Sequence, residues 1–375
     1  MQKILFLTTG HRFDDDRIFY HQAKELVNNG FDVKICSLSS EFEGIIDEIE
    51  IESYSILGET SSQKIDTFQK VCNFYKPDCI ICSEPLAVIA SKKYKRNNNV
   101  SIIYDVTEWY PSMRMVNEYT FLLKIIHAFK FFLIQLYAGL ISTHFIFGER
   151  TKMFPLAYVF PFKNKIILPY FPDDKYIYKS VNKLYPHKIK LCYTGIFSKE
   201  KGIENFFMAV NCFQKKCPNI ELSILLIGGT RKISDQKYFE DLLCKYNWEN
   251  IEIRKTLSFE DFTKAFSEAD ICFDLRDLNF ENNHCLPIKI FYYAATGKPV
   301  IYTNLKATRK HVDVSKFGYL VNPEDYEGIA DLIANYIYNP ETYNTHAVNA
   351  RREFELKYNW NVIRDNFSNF IKESI

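Results

Sequence analysis

The sequence predicts an α/β chain of two doubly wound parallel-sheet domains facing a central cleft, and three observations carry that reading. The chain opens as a βαβ unit: an apolar strand over residues 4–8, a turn at Gly10, an amphipathic helix over 17–28, a stop at Asn29-Gly30 and a second strand over 31–38. The same alternation restarts over 189–193, with a turn at Gly195. Between the two, residues 155–186 are proline-rich, lack periodicity and read as a linker. At 375 residues the chain also exceeds what one hydrophobic core supports. The predicted domains are 1–165 and 166–350, followed by a helical segment, 351–375, that packs back toward the first domain.

In the first half, strands are expected over 77–82, 100–104 and 142–147. Cys79 and Cys82 form a C-x-x-C pair, but no second pair follows and both lie in an apolar run, so a buried strand is expected there. Ten cysteines without metal-type spacing suit reduced thiols. Residues 121–147 are rich in Phe, Leu and Ile; Gly139 interrupts the run, and Gln135, Ser142, Thr143 and His144 argue against a membrane span. A core helix followed by a strand is expected. Lys124, His127 and Lys130 recur every three residues there, a strip that suits either the wet face of a packed helix or an anionic membrane surface. The N-terminal apolar run is too short for a signal peptide, which predicts a cytoplasmic chain. The second half continues with a helix from about residue 203, strands over 221–227, 251–254, 271–273 and 300–302, and a last helix over 361–371.

Forty-seven Lys and Arg against forty-six Asp and Glu leave a net charge of +1, which removes the global electrostatic case for nucleic acid. Neither glycine turn carries the G-x-G-x-x-G of a nicotinamide site. Two stretches point to an anion instead. Pro287 suits a first helical position, Gly297 a helix stop and Pro299 a strand restart, so a helix beginning near Pro287 would aim its free N–H groups at Asn282-Asn283-His284-Cys285. Lys289, in its opening turn, opposes the helix dipole unless an anion binds nearby. The turn from Gly195 to Gly202 places Lys201 just before a helix start, where an ammonium and free N–H groups can hold a diphosphate. Asp14, Asp15 and Asp16 precede a helix and read as its cap rather than as metal ligands. Asp105 to Pro111 follows a strand at the carboxyl edge, where Glu108 beside Trp109 and Tyr110 is the acidic candidate for chemistry.

These segments, taken in order, resemble the family 4 glycosyltransferases of GT-B fold, with two Rossmann-like domains. Residues 15–19 with Ala23, Leu26 and Gly30 resemble the family's first helix, residues 193–204 its phosphate-binding turn, and residues 286–301 its signature. The resemblance implies transfer of a sugar from a nucleotide-diphosphate donor to an acceptor hydroxyl with retention, without a metal or cofactor. The acceptor would be a glycan or lipid-linked saccharide in surface polysaccharide assembly, reached from the cytoplasm at the inner face of the cell membrane. It further implies donor contacts at Gly10, Gly195, Lys201, Pro287, Ile288 and Lys289. The family's paired glutamates fall at His284 and Tyr292, its turn arginine is missing, and its N-domain histidine falls at Thr107. His284 is then expected at the donor sugar, the Tyr292 hydroxyl at the ribose, and Glu108 at the acceptor. The alternatives are a catalytically silent scaffold that binds a nucleotide or glycan, and an epimerase or hydrolase of the same fold.

Overall fold

A computed structural model describes residues 1–255 and 257–375, with the backbone alone for Arg114. The chain divides into two compact units, Met1–Tyr170 with Ile363–Ile375, and Phe171–Val362. The expected third segment is therefore split. The helix Pro340–Lys357 belongs to the second unit, and the closing helix Trp360–Ser374 passes to the first at Ile363.

In the first unit the strands are β1 (Lys3–Thr8), β2 (Asp32–Ser37), β3 (Ser39–Ile46), β4 (Ile49–Ser55), β5 (Cys79–Cys82), β6 (Ser101–Val106), β7 (His144–Phe147) and β8 (Lys165–Ile167). They form one sheet in the order β3-β4-β2-β1-β5-β6-β7-β8, parallel except for β3 with β4. Strands such as β1 and β5 are buried along nearly their whole length because helices cover both faces, which explains their continuous apolar runs. The order reverses at β1 and β5. Leu7 pairs with Cys82, so Thr8 to Gly10 leave the sheet beside Ser83 and Glu84.

The second unit contains β9 (Lys188–Ile196), β10 (Glu221–Gly229), β11 (Ile251–Arg254), β12 (Ile271–Asp274), β13 (Val300–Thr303) and β14 (Gly318–Val321). They form a parallel sheet in the order β11-β10-β9-β12-β13-β14. Here the reversal falls at β9 and β12, and pairing of Tyr193 with Phe273 brings Thr194 and Gly195 beside Asp274. Ligands of open parallel sheets bind at such reversal points, outside the carboxyl ends of the strands.

Three expectations change. The segment read as a linker begins inside the first unit: it contains the helical turn Leu156–Val159 and the edge strand β8, which pairs with β7. The hairpin β3–β4 turns through Asp47 and Glu48, both at positive φ, and this residue pair lacks the Asn-Gly signal that would have revealed it. The helix Phe121–Ile141 is not a core helix. Gln135, Ala138, Gly139 and Ile141 are its buried residues, while Phe121, Ile126 and Phe129 stay more than half exposed. Gly139 does not break it. A Cβ there would come within 2.6 Å of Leu156 and 2.7 Å of Phe160, so glycine permits the close packing of that segment.

Candidate functional site

Each unit gathers charged groups at its own reversal point. In the first, Asp15 caps a wide π-helix, Asp16–Ala23, by accepting from the Arg17 and Ile18 amides, as the sequence led us to expect. That start aims Arg17 inward. Its guanidinium makes a fork-to-fork pair with Asp105 at the end of β6 (2.8 and 2.9 Å), donates to the Leu168 carbonyl (2.9 Å) and covers the Tyr170 ring. Gln22 also donates to Asp105 (2.8 Å). Asp105 is thus committed to holding the first helix against the sheet, and Glu108 lies exposed in the loop beyond.

Beside that anchor, the Glu84 carboxylate occupies the turn after β1. It accepts from the Thr9 amide (2.8 Å), the Gly10 amide (3.0 Å) and the Thr8 hydroxyl (3.1 Å). The Gly10 amide, expected at the donor phosphates, is therefore already satisfied by a side chain. Burial raises the Glu84 pKa, and the charge of His11 with these amide bonds opposes that rise. His11 closes the cluster, with Nδ1 2.9 Å from Asp15 and Nε2 3.8 Å from Glu84. Burial alone would lower its pKa, but the Asp15 hydrogen bond and the charges of Asp15, Glu84 and Glu108 prevail, and it is pushed up to about 9. His11 is an imidazolium at neutral pH, facing three carboxylates at a carboxyl edge of the sheet.

A histidine with a raised folded pKa stabilises fully below its unfolded value, near 6.5, and loses that contribution as pH rises through about 9. Between pH 6.5 and 9.5 the wild type should lose about 1–3 kcal/mol more stability than His11→Gln. Urea unfolding at the two pH values measures this, and parallel losses in both proteins would contradict the ion cluster.

In the second unit, Asp274 at the end of β12 is fully buried and accepts from Arg276 Nε (2.7 Å) and Nη2 (2.6 Å). Lys289 Nζ lies 3.3 Å from the same carboxylate and donates to the Thr194 carbonyl. Gly195 has φ +116°, and a Cβ there would come within 3.2 Å of Lys289 Nζ, so the bare turn exposes its backbone beside an ammonium. Among the described residues that meet here, one carboxylate faces two cations. Burial pushes the Asp274 pKa up, but Arg276 and Lys289 hold it well below the usual carboxylate range. The Lys289 pKa is lowered, first by burial, with Arg276 adding to the fall and Asp274 opposing it. Two cations against one carboxylate leave a surplus of positive charge at the sheet's carboxyl edge.

Residues 188–339, most of the second unit, match the family model described as "Glycosyl transferases group 1". This segment is a group 1 glycosyltransferase domain. The whole chain has the GT-B fold. Sucrose-phosphate synthase from Thermosynechococcus elongatus aligns at TM-score 0.75 and 16% identity, covering 100% of this chain and 99% of that one. HepE of Anabaena, solved in complex with UDP-glucose, aligns at 0.73 and 14%, covering 100% of both. WaaG, a glycosyltransferase involved in lipopolysaccharide biosynthesis, aligns at 0.70 and 14%, covering 98% of this chain and 99% of its own. No curated protein matches by sequence.

Within the group 1 domain, the residues nominated from sequence separate. Gly195 and Lys289 come together as described. Lys201 stands at the next turn, 3.1 Å from Glu200 Oε1 and 3.4 Å from Asn282 Oδ1, before the fourteen-residue helix Ile203–Lys216. Gly202 begins that helix at φ +82°, and a Cβ on it would meet the Leu275 carbonyl at 1.9 Å, so the turn requires glycine. The helix after Pro287 and Ile288 is only Lys289–Ala295, and the stretch expected as its open loop is itself partly helical, Phe280–Asn283. So short a helix makes the Lys289 side chain, rather than a dipole, the important group. His284 turns its Nδ1 to the Phe280 carbonyl (2.8 Å) and packs on the Phe280 ring. Tyr292 is buried, with its ring edge-on to Phe259 and Phe262.

Sequence reasoning missed His11, Glu84, Asp274 and Arg276. Each lies within three residues of a strand's carboxyl end, and that position was the available signal; knowing which strands are neighbours was the missing step.

Proposed function

We propose that the chain transfers a sugar, with retention and without a bound metal, from a nucleotide-diphosphate donor to a hydroxyl of a glycan or lipid-linked saccharide. The observation that carries this reading is the surplus cation at Gly195, where Lys289 and Arg276 share Asp274. A departing diphosphate needs pre-placed positive charge, and a buried ammonium with one carboxylate shared between two cations supplies it. In this reading the bond between the sugar C1 and the diphosphate oxygen breaks, and the acceptor oxygen bonds to C1 from the same face. Lys289 and Lys201 take the charge that develops on the leaving group, while Glu108 orients the acceptor hydroxyl and receives its proton. HepE's complex with UDP-glucose makes UDP the first nucleoside diphosphate to test. Assembly of a surface polysaccharide, from the cytoplasmic side of a membrane, is the setting we infer for such an acceptor.

The test is thermal unfolding with a panel of nucleoside diphosphates, on the wild type and on Lys201→Ala. A ligand at about 100 times its dissociation constant adds roughly 2.7 kcal/mol. One diphosphate should stabilise the wild type, and Lys201→Ala should shrink that shift. Silence across the panel would overturn the proposal. The absence of carboxylates at positions 284 and 292, with Tyr292 committed to the core, keeps a nucleotide-binding scaffold as the second reading. Stabilisation by a diphosphate without release of sugar from any donor would establish that one.

A further inference from the structure

The helix Phe121–Ile141 contains no acidic residue and is long and apolar enough to cross a membrane by length and composition. Its C-terminal end is fastened. Gln135, Ala138 and Ile141 are buried, Lys163 donates to the Gly139 (2.7 Å) and Leu140 (3.0 Å) carbonyls, and two residues separate the helix from β7 inside the sheet. It cannot leave the fold to span a bilayer. The N-terminal end stands clear, with Phe121 76%, Leu122 71%, Ile126 61% and Phe129 62% exposed.

At 100° per residue, Phe121, Leu122, Ile125, Ile126, Phe129 and Leu133 fall within a sector of roughly 140°, with Lys130 and Lys124 outside its two edges. The segment that packs on Gly139 adds exposed Phe154, Tyr158 and Phe162. Residues 121–165 hold six Lys or Arg against one acid, Glu149. An apolar face bordered by lysines is the pattern of a helix that lies in a membrane interface. A second copy of the chain fits poorly. Face-to-face packing would bring the lysines of two such helices together with no carboxylate on either, whereas anionic headgroups supply the missing charge.

We propose that this face seats in the headgroup layer of an anionic bilayer, with Phe121, Ile126 and Phe129 buried among the acyl chains and Lys124 and Lys130 on the headgroups. The proposal does not depend on the catalytic reading. It is tested by co-sedimentation of the full chain with phosphatidylcholine vesicles, with and without phosphatidylglycerol. The wild type should pellet with the mixed vesicles, and Ile126→Glu/Phe129→Glu should stay in solution. Lys124→Gln/Lys130→Gln should lose about thirtyfold in partitioning to the mixed vesicles, from roughly fivefold per lysine near an anionic surface. All four side chains are exposed or partly exposed, so thermal unfolding should match the wild type. Wild-type protein that ignores mixed vesicles, or a double glutamate variant that still pellets, would overturn the proposal. So would a vesicle-free dimer that the glutamates dissolve, since it would assign the face to a second copy.

Discussion

Arg17→Met should lower the stability of the first unit by about 3–5 kcal/mol, the loss typical when one partner of a buried ion pair is removed. Arg17 and Asp105 are 4% and 1% exposed, and the guanidinium satisfies both carboxylate oxygens and the Leu168 carbonyl. Methionine preserves much of the volume but leaves Asp105 with the Gln22 amide as its remaining side-chain donor among the described residues. Arg17→Met/Asp105→Leu should regain most of the loss, because replacing both partners removes the uncompensated charge. Denaturant unfolding of the three proteins, followed on the first unit's transition, gives the cycle. Were Arg17→Met to unfold with the wild type, the anchor would be wrong.

Lys289→Met should fold normally and bind nucleoside diphosphate about ten- to a hundredfold more weakly, a loss of about 1.5–3 kcal/mol for one charge-assisted contact. The asymmetry follows from the charge count at Asp274. Removing Lys289 leaves the fork-to-fork pair with Arg276 intact and neutral. Removing the carboxylate, by Asp274→Asn, leaves two buried cations facing each other and should cost about 3–5 kcal/mol of stability. Added diphosphate should recover part of that loss by supplying the missing negative charge. Thermal unfolding with and without UDP separates the roles. An Asp274→Asn protein as stable as the wild type, or a Lys289→Met protein with an undiminished UDP shift, would show that the surplus cation serves the fold rather than a ligand.

The division of labour between the two predictions reflects what each kind of residue requires. Arg17 was legible as part of a helix start, but its partner lies eighty-eight positions away in sequence and meets it through a parallel sheet whose strand order the local pattern does not contain. Gly195 and Lys289 were both nominated from sequence, and the tertiary structure joined them. Lys201, weighted most heavily beforehand, is shared with Glu200 and Asn282. Tyr292 looked available because a hydroxyl in a helix reads as polar, yet the ring's apolar area placed it among Phe259 and Phe262.

Periodicity was sufficient for β1, β2, β5, β6 and β7 of the first sheet and β9 to β13 of the second, though not for β4, β8 and β14, and for the turns at Gly195 and Gly202 and the helix cap at Asp15, because each depends on neighbours within a few residues. The hairpin β3–β4, the fastened and exposed helix Phe121–Ile141, the Glu84 carboxylate on the Gly10 turn and the sharing of Asp274 by two cations were decided by tertiary structure. They depend on which strands lie side by side and on which face of a helix finds a partner. Composition leaves both open: the same apolar run serves as a core helix when another element covers it and as an interfacial one when none does.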